Sequence, residues 1–553
     1  MQLDRRAALG LIGSGAVVPA VGAQAATPAS ASFRHGIASG DPTPRGAILW
    51  TRVTPSDAAF ASPINVRWHV ALSADGKPVE SGTAEARPAR DFTVKVEPTQ
   101  LKAGQEYHYW FELADGTRSP TGRFRTLPVG ETSKDLVLAV VTCQLLPGGF
   151  FNAYDSIAKR DRLDAVIHLG DYIYEYGPDG YGAEIGKKIG RTVTPPHEIV
   201  TLADYRERHA CYKLDPMLQA AHARAAFICV WDDHETANDA WLHGAENHQS
   251  ETEGDWGKRK AAAMQAYFEW LPIRDPKPGQ PWEGINRSFD FGSIASLLMV
   301  ETRLLARSLQ AGFKGAVPSA DEVRDVLAET NRPDRELLGK PQQDWLETQL
   351  STSVKAGTPW QIIGNQVVMA RVNGPDMAKL FGEQQAKAML DTLSPELRPQ
   401  IEAAQMGYRA GLPFNLDAWD GYPAARERLY ASFRKAGAKP LVLAGDSHAF
   451  WANNLNDAEN RPVAVEFGTS SISSPSIGDM LPQVPLGDLL EKSSSEVVLC
   501  DQRAKGYIVL TLTPHQAVAD YIAMSTIYSP DYNEKPLARF VLKAGETPRL
   551  SRT

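Results

Sequence analysis

The sequence contains few cysteines, and their spacing excludes the common cysteine-based sites. Only four occur in 553 residues, namely Cys143, Cys211, Cys229 and Cys500. No two of them form a C-x-x-C pair, which excludes a zinc ribbon and a thioredoxin-type motif. If Cys143 is a metal ligand, at most one disulfide can form among the other three, and the pairing stays open at this level.

Long hydrophobic runs and an excess of basic residues are also lacking. No internal apolar run is long enough to span a bilayer. The formal net charge of −8 excludes the basic surface that is typical of nucleic-acid-binding proteins. The chain is 43% hydrophobic and 22% charged, as globular proteins are, and its length predicts more than one domain. We therefore expect neither a membrane span nor a nucleic-acid partner.

The first 25 residues have the pattern of a targeting segment. Arg5 and Arg6 precede a mildly apolar stretch rich in Gly and Ala, and Ala23-Gln24-Ala25 fits a cleavage site. Paired arginines before such a stretch are typical of a twin-arginine signal; a general secretory signal and a disordered tail are the alternatives. We predict that residues 1–25 are a signal peptide for the twin-arginine export machinery, and that the mature protein is periplasmic or secreted.

Two folded regions follow. Residues 32–128 contain short alternating or apolar segments separated by turn residues, which predicts a small immunoglobulin- or fibronectin-III-like β-sandwich. From residue 133 the pattern changes to strand, helix, strand, which is the βαβ unit of a parallel sheet. Later strands, including those at 506–512 and 517–522, predict a second sheet. We place the α/β region at 133–530 and a C-terminal tail at 531–553.

Polar residues follow five of the buried strands of this region. Since parallel strands in one sheet end at the same edge, these residues should lie close together. Adjacent carboxylates are costly there unless a cation neutralises them, and a phenolate such as that of Tyr174 suits a hard trivalent cation such as ferric iron. The alternatives are ordinary turn residues, an inert buried thiol and a solvated acidic loop. The strand-end residues are Cys143, Asp171, Asp232-Asp233-His234, Asn365, and Asp446 with His448.

The order of these motifs resembles that of the calcineurin-like metallophosphoesterases. The motifs are Gly170-Asp171, Asp232-Asp233-His234-Glu235, Gly364-Asn365 and Gly445-Asp446-Ser447-His448. The Asp-Asp-His-Glu and Gly-Asp-Ser-His variants, together with Cys143, resemble the PhoD-like alkaline phosphatase family. Residues 36–42, 49–52, 271–274 and 417–422 resemble it as well, so the similarity extends over nearly the whole mature chain. The implied fold is a two-sheet metallophosphoesterase sandwich flanked by helices, preceded by the small β-sandwich.

The resemblance also implies a metal centre with one ferric iron (Fe³⁺) and two calcium ions. Asp233 rather than Asp232 takes a calcium role, because Asp233 lines up with the metal-binding Asn of the wider superfamily. His234 is expected to donate a proton or hydrogen bond, and Asn238 and Arg274 to meet the phosphate. Glu301-Thr302-Arg303 departs from the expected Asp-Thr-Arg and is given no role. The implied iron ligands are Cys143, Asp171, Tyr174 and His448, and the implied calcium ligands are Asp171, Asp233, Asn365 and Asp446.

These expectations define an enzyme. The prediction is an exported, metal-dependent alkaline phosphatase and phosphodiesterase that releases phosphate from phosphoesters through a metal-activated water or oxygen. Its substrates would be small phosphoesters or phospholipids. One alternative uses the same metal site as a phospholipase D-like phosphodiesterase. The other is a non-catalytic binding protein with a degenerate site.

Overall fold

The computed structural model describes residues 31–131, 134–315, 317–391, 393, 395 and 398–551. The predicted signal peptide, residues 1–25, lies outside the described residues. Within the described ranges, no helix combines the length and the apolarity needed to cross a membrane.

The described chain folds into strands that form three larger sheets and one short pair. In chain order the strands are β1 (Ala31–Ser32), β2 (Ile37–Thr43), β3 (Gly46–Arg52), β4 (Thr54–Pro55), β5 (Ile64–Ala71), β6 (Pro78–Ala86), β7 (Thr93–Val96), β8 (Glu106–Leu113), β9 (Gly122–Arg125), β10 (Leu136–Val141), β11 (Ala165–His168), β12 (Ala226–Cys229), β13 (Arg287–Phe291), β14 (Ala295–Met299), β15 (Trp360–Gly364), β16 (Leu441–Ala444), β17 (Phe450–Asn456), β18 (Pro462–Gly468), β19 (Val497–Asp501), β20 (Lys505–Leu512), β21 (Gln516–Met524) and β22 (Glu534–Lys543).

Helices connect and cover these strands. Local sequence explains some of their bounds, for example those of the helix Trp256–Trp270. At its start the Asp255 carboxylate accepts a hydrogen bond from the Lys258 amide, and the helix ends before Pro272, which lacks an N–H group. In chain order the α-helices are α1 (Asn152–Ala158), α2 (Ala183–Ile189), α3 (Leu202–Lys213), α4 (Pro216–Arg224), α5 (Ser250–Glu253), α6 (Trp256–Trp270), α7 (Ala320–Thr330), α8 (Lys340–Lys355), α9 (Met377–Phe381), α10 (Glu383–Leu390), α11 (Arg398–Arg409), α12 (Pro423–Ala436), α13 (Ile477–Met480) and α14 (Leu486–Ser493).

The first sheet carries three of the predicted strand-end motifs. Its strand order is β22-β21-β20-β10-β11-β12-β2-β3-β7. β10, β11 and β12 are parallel neighbours, so their carboxyl ends lie side by side. Val166 and Ile167 of β11 are fully buried, as an unbroken apolar run predicts for a strand covered on both faces.

The second sheet carries the remaining motifs. Its order is β13-β14-β15-β16-β18-β17-β19, with β14, β15, β16 and β18 parallel. The two sheets pack face to face through one apolar core, in which Leu138 and Ile167 of the first sheet join Leu297 and Phe467 of the second. The predicted α/β architecture of two sheets flanked by helices is therefore confirmed.

The N-terminal β region is present, but it is joined to the first sheet. The four strands β6-β5-β8-β9 form a sheet that shares an apolar core with β2, β3 and β7, including Leu49, Val66 and Phe111. β2 pairs in parallel with β12, at Gly40 and Phe227, so β2, β3 and β7 extend the first sheet. This pairing covers an edge that β12 would otherwise expose, which an independent sandwich would leave open.

Two predictions about the C-terminal strands are wrong. β20 and β21 belong to the first sheet, not to the second, because β20 pairs with β10 in antiparallel register and covers its free edge. Residues 531–553 are not simply a tail, since β22 pairs with β21 along its length. All four cysteines are free, so none of Cys211, Cys229 and Cys500 forms a disulfide in this structure.

Candidate metal centre

The strand ends of the two sheets meet at one site. Cys143 follows β10 and Asp171 follows β11 in the first sheet, whereas Asn365 and Asp446 follow β15 and β16 in the second. The sheets approach closely here: a Cβ on Gly445 would lie 2.5 Å from the Thr142 hydroxyl. A side chain at residue 445 would therefore clash with Thr142 at the end of β10, so glycine permits this close approach of the two sheets.

The backbone at this site is strained where the predicted ligands stand. Cys143, Asp171, Asp446 and His448 all have positive φ angles, of 56°, 59°, 60° and 56°. Non-glycine residues adopt this left-handed conformation rarely and at a cost, and such strain concentrates at functional sites. The neighbouring loops hold it in place through hydrogen bonds, among them the 3.1 Å bond from the Cys143 amide to the Gly170 carbonyl.

Ligand-type side chains form three adjoining groups. Within each group, the candidate ligand atoms all lie within 4.8 Å of one another. Asp171 and Asp233 each belong to two of the groups, so the three groups form one continuous cluster. The groups are Cys143 with Asp171 and His448, Asp171 with Asp233 and His234, and Asp232 with Asp233 and Asp446.

Tyr174 lies beside the first group. Its hydroxyl donates to the Asp171 carboxylate at 3.0 Å and lies 3.3 Å from Nε2 of His448 and 2.7 Å from the Ser474 hydroxyl. A thiol, a phenol, an imidazole and a carboxylate therefore converge at one point, and the four residues predicted to bind iron are brought together. This donor set is one that a trivalent iron accepts.

Asn365 is fully buried at the end of β15. Its side-chain oxygen accepts the indole N–H of Trp419 at 3.0 Å, and its amide nitrogen donates to the Val367 carbonyl. An amide oxygen has a second lone pair, so this orientation leaves Oδ1 able to accept a cation. Like the carboxylates of Asp233 and Asp446, this amide offers an oxygen donor of the kind that calcium prefers.

The protein places too little positive charge around the carboxylates of the cluster to compensate their negative charge. Burial and neighbouring acids raise the pKa values of Asp171 and Asp446 well above their usual range, and burial and Asp171 raise that of the Cys143 thiol. One oxygen of Asp171 and one of Asp232 are buried without a hydrogen-bond partner among the described residues. Bound cations would satisfy these atoms and favour the ionised forms, so the residues present fit a metal centre.

His234 stands at the edge of the same cluster with a fixed orientation. Its Nδ1 lies 2.8 Å from the Glu175 carboxylate, and its ring packs on that of Tyr174 with centroids 4.2 Å apart. Although burial disfavours the charged ring, Asp233, Glu175 and Asp171 together raise the pKa of His234 well above its usual value. His234 is therefore suited to hold and donate a proton.

The two residues predicted to contact phosphate have different surroundings. The Asn238 amide N–H donates to Glu175, which ties this residue to His234, and its side chain donates to Glu246 at 3.2 Å. Arg274 is not brought to the cluster. Its guanidinium donates to the Asp41 carbonyl and pairs with Glu97 at 2.5 Å, which commits it to the N-terminal strands.

Sequence reasoning missed Arg303, which is fully buried among the acids of the cluster. Its guanidinium contacts Asp232 at 2.5 Å, binds both oxygens of Asp417 at 2.7 and 2.8 Å, and reaches Asp446 at 3.3 Å. A signal was available, because Arg303 follows β14, the parallel neighbour of β15. Asn365 was selected because it follows a parallel strand, and Arg303 could have been selected for the same reason.

The departure at Glu301 has a structural explanation. Its carboxylate accepts the indole N–H of Trp231 at 2.9 Å and three backbone amides, those of residues 303, 304 and 305. Glu301 thus fixes the turn that presents Arg303, and it bonds to Trp231 at the end of a strand of the other sheet. Glu175 was likewise missed, although it accepts hydrogen bonds from His234, Asn238 and Asn247.

Comparison with known proteins first defines the class. A purple acid phosphatase from yellow lupin (Lupinus luteus) seeds has a similar structure, with a TM-score of 0.52 over 93% of this chain and 74% of that one. At 12% identity this similarity shows the fold alone: the chain has the fold of that phosphatase.

The family follows from closer matches. The sequence model of the PhoD-like phosphatase family matches residues 138–521, and that of its N-terminal domain matches residues 19–128. Alkaline phosphatase D of Bacillus subtilis (strain 168) is 34% identical over 93% of this chain and 81% of its own length. A solved structure of PhoD is 32% identical, with a TM-score of 0.77 over 94% of this chain and 93% of that one. The chain belongs to the PhoD-like phosphatase family, and the prediction of a phosphoric ester hydrolase is confirmed.

Proposed function

We propose that this phosphatase is an exported, metal-dependent enzyme that hydrolyses phosphomonoesters and phosphodiesters. The observation that carries the proposal is the continuity of the three ligand groups. Because Asp171 and Asp233 are each shared by two groups, cations bound there would be neighbours that can act on one phosphate. The buried oxygen of Asp171 that has no hydrogen-bond partner among the described residues would be available to a cation, which supports the proposal.

The donor types suggest which cation each part of the cluster would hold. Cys143, Tyr174 and His448, with Asp171, would hold ferric iron, since thiolate, phenolate and imidazole are its characteristic donors. Asp171, Asp233, Asp446 and Asn365 would hold calcium, because they offer oxygen atoms alone. When bound, these cations would neutralise the phosphoryl oxygens and lower the pKa of a water molecule that attacks in line.

The residues around the cluster would do the remaining work. His234, protonated and oriented by Glu175, would donate its proton to the leaving-group oxygen or hydrogen-bond a phosphoryl oxygen. Asn238, anchored to the same Glu175, would hydrogen-bond the phosphate from the rim. Arg303, which contacts Asp232, Asp417 and Asp446, would offset part of the negative charge of these carboxylates.

Export is proposed from the pattern of residues 1–25. Replacing both Arg5 and Arg6 by Lys should leave the protein in the cytoplasm of a bacterial host that has a twin-arginine pathway. Export of the double variant at the rate of the original protein would contradict the twin-arginine interpretation.

The metal-dependent activity is tested by element analysis of the purified protein and hydrolysis of 4-nitrophenyl phosphate and bis(4-nitrophenyl) phosphate. We expect iron and calcium, a visible tyrosinate-to-iron absorption band, and turnover that a calcium chelator abolishes and added calcium restores. The ratio of the two rates distinguishes a monoesterase from a phospholipase D-like diesterase. Full activity in a protein free of both metals would refute the proposal.

A further inference from the structure

The backbone of His448 has a strained conformation, and its carbonyl group is hydrogen-bonded by two side chains. Its φ angle is 56°, and its carbonyl oxygen accepts hydrogen bonds from the Lys505 ammonium at 3.3 Å and the Ser470 hydroxyl at 3.0 Å. Lys505 is the first residue of β20 and is only 6% exposed. Hydrogen bonds to this carbonyl favour a backbone conformation that non-glycine residues adopt only at a cost.

The imidazole of His448 is oriented by a different segment. Its Nδ1 lies 2.6 Å from the Pro475 carbonyl, an acceptor, so Nδ1 carries the hydrogen and Nε2 is left free. The Tyr181 hydroxyl donates to the same carbonyl, and its ring stacks on the imidazole with centroids 6.1 Å apart. Nε2 then faces the Tyr174 hydroxyl at 3.3 Å, within the first ligand group.

Lys505 also fixes the segment that contains Pro475. The next residue, Ser476, caps α13, and its amide and hydroxyl both donate to the Asp479 carboxylate. Asp479 in turn forms an ion pair with Lys505, with an N–O distance of 2.8 Å. One ammonium thus bonds both to the backbone of His448 and, through Asp479, to the segment that orients its ring.

We propose that Lys505, acting with Asp479, is a positioning residue that presents Nε2 of His448 to the cation held by Cys143, Asp171 and Tyr174. The inference rests on the proposed metal-dependent function. Outer partners of metal-binding histidines fix the ring and its tautomer, and their removal typically weakens metal binding by about 10- to 100-fold.

The charge of Lys505 and its proposed positioning role predict opposite effects on metal affinity, which makes the inference testable. Lys505 is a cation close to His448 and Cys143, so its field opposes the binding of another cation. Lys505→Met therefore tightens metal binding if the charge alone matters, and weakens it if positioning matters. Lys505→Arg keeps a donor for both partners and should restore most of the affinity.

The experiment measures iron retained by purified protein against increasing concentrations of an iron chelator at one pH. We expect Lys505→Met to lose iron at about tenfold lower chelator, with a shifted tyrosinate band for the iron that remains. Lys505→Arg should resemble the original protein. Lys435→Met is the matched control, because Lys435 is exposed and pairs with Glu347 away from the site.

The possible results separate this inference from the proposed function. If the original protein binds iron and Lys505→Met holds it as tightly or more tightly, the positioning role is refuted and the metal centre stands. If the original protein binds no iron, both fail. Should Lys505→Met not fold, Asp479→Asn serves instead, since it keeps an acceptor for Ser476 but removes the ion pair; unchanged iron retention there would also refute the role.

Discussion

Replacing Glu175 by Gln tests whether His234 acts as a proton donor. Glu175 is fully buried and faces three donors: His234 Nδ1, the Asn238 amide and the Asn247 side chain. Gln offers one acceptor and one donor group, so it leaves one of these contacts mismatched and removes the negative charge that favours the imidazolium. A hydrogen bond to a charged group contributes about 1.5–3 kcal/mol, and about 1.4 kcal/mol corresponds to a tenfold change.

The assay compares kcat for a poor alkyl leaving group with kcat for 4-nitrophenolate. A leaving group that needs a proton should lose about 10- to 100-fold in Glu175→Gln, whereas 4-nitrophenolate, which departs without one, should lose less than about 3-fold. Metal content should not change, because the side chain that Glu175 orients, His234, is expected to donate a proton rather than to bind a cation. The matched control is Glu283→Gln, which alters a partly exposed pair with Lys260 and lies outside the ligand groups.

Equal losses for both leaving groups would refute the argument. They would mean that Glu175 supports binding or folding rather than proton donation by His234. Loss of metal from Glu175→Gln would lead to the same conclusion, because the kinetic effect would then belong to the metal centre.

Three further changes have defined outcomes. Asp171→Asn should abolish binding of both metals and lower kcat by at least about 10³-fold, yet the metal-free variant should melt above the metal-free original, because burial opposes the carboxylate charge; retained metal would contradict this. Gly170→Ala should lose metal as well, since its Cβ would lie 2.5 Å from Asp232 at a φ of 114°, and normal metal content would exclude the clash. Burial raises the pKa of Glu466 to about 7; the folded state therefore keeps a proton that the unfolded state releases near pH 4.5, and about 3 kcal/mol of stability present below pH 4.5 should be lost as pH rises through 7. Between pH 5 and 8 the stability measured by denaturant unfolding should fall less in Glu466→Gln than in the original protein, because the variant lacks this contribution while other buried carboxylates with raised pKa values, such as Asp171, remain in both; equal falls would contradict the prediction.

Strand-end chemistry was predictable because it depends on local pattern. A buried apolar run followed by a glycine and a carboxylate indicates a strand end wherever the strand lies, which identified Asp171 and Asp446. The same reasoning located Asn365 and Cys143. In the structure, Cys143, Asp171 and Asp446 are members of the three ligand groups. It did not extend to Arg274, whose partners Asp41 and Glu97 are about 180 residues or more away in the chain.

The sequence by itself determined the class of fold, the two regions, and the residue types that gather at one edge, because hydrophobic periodicity and turn residues act over a few positions. Only the tertiary structure decided that β20–β22 complete the first sheet and that β2 joins β12. It alone showed that Arg303 pairs with Asp232 and Asp417 and that the Lys505 ammonium bonds to the His448 carbonyl. Strand pairing and buried ion pairs join residues far apart in the chain, and local periodicity carries no information about which distant partner a strand edge or a buried charge will find.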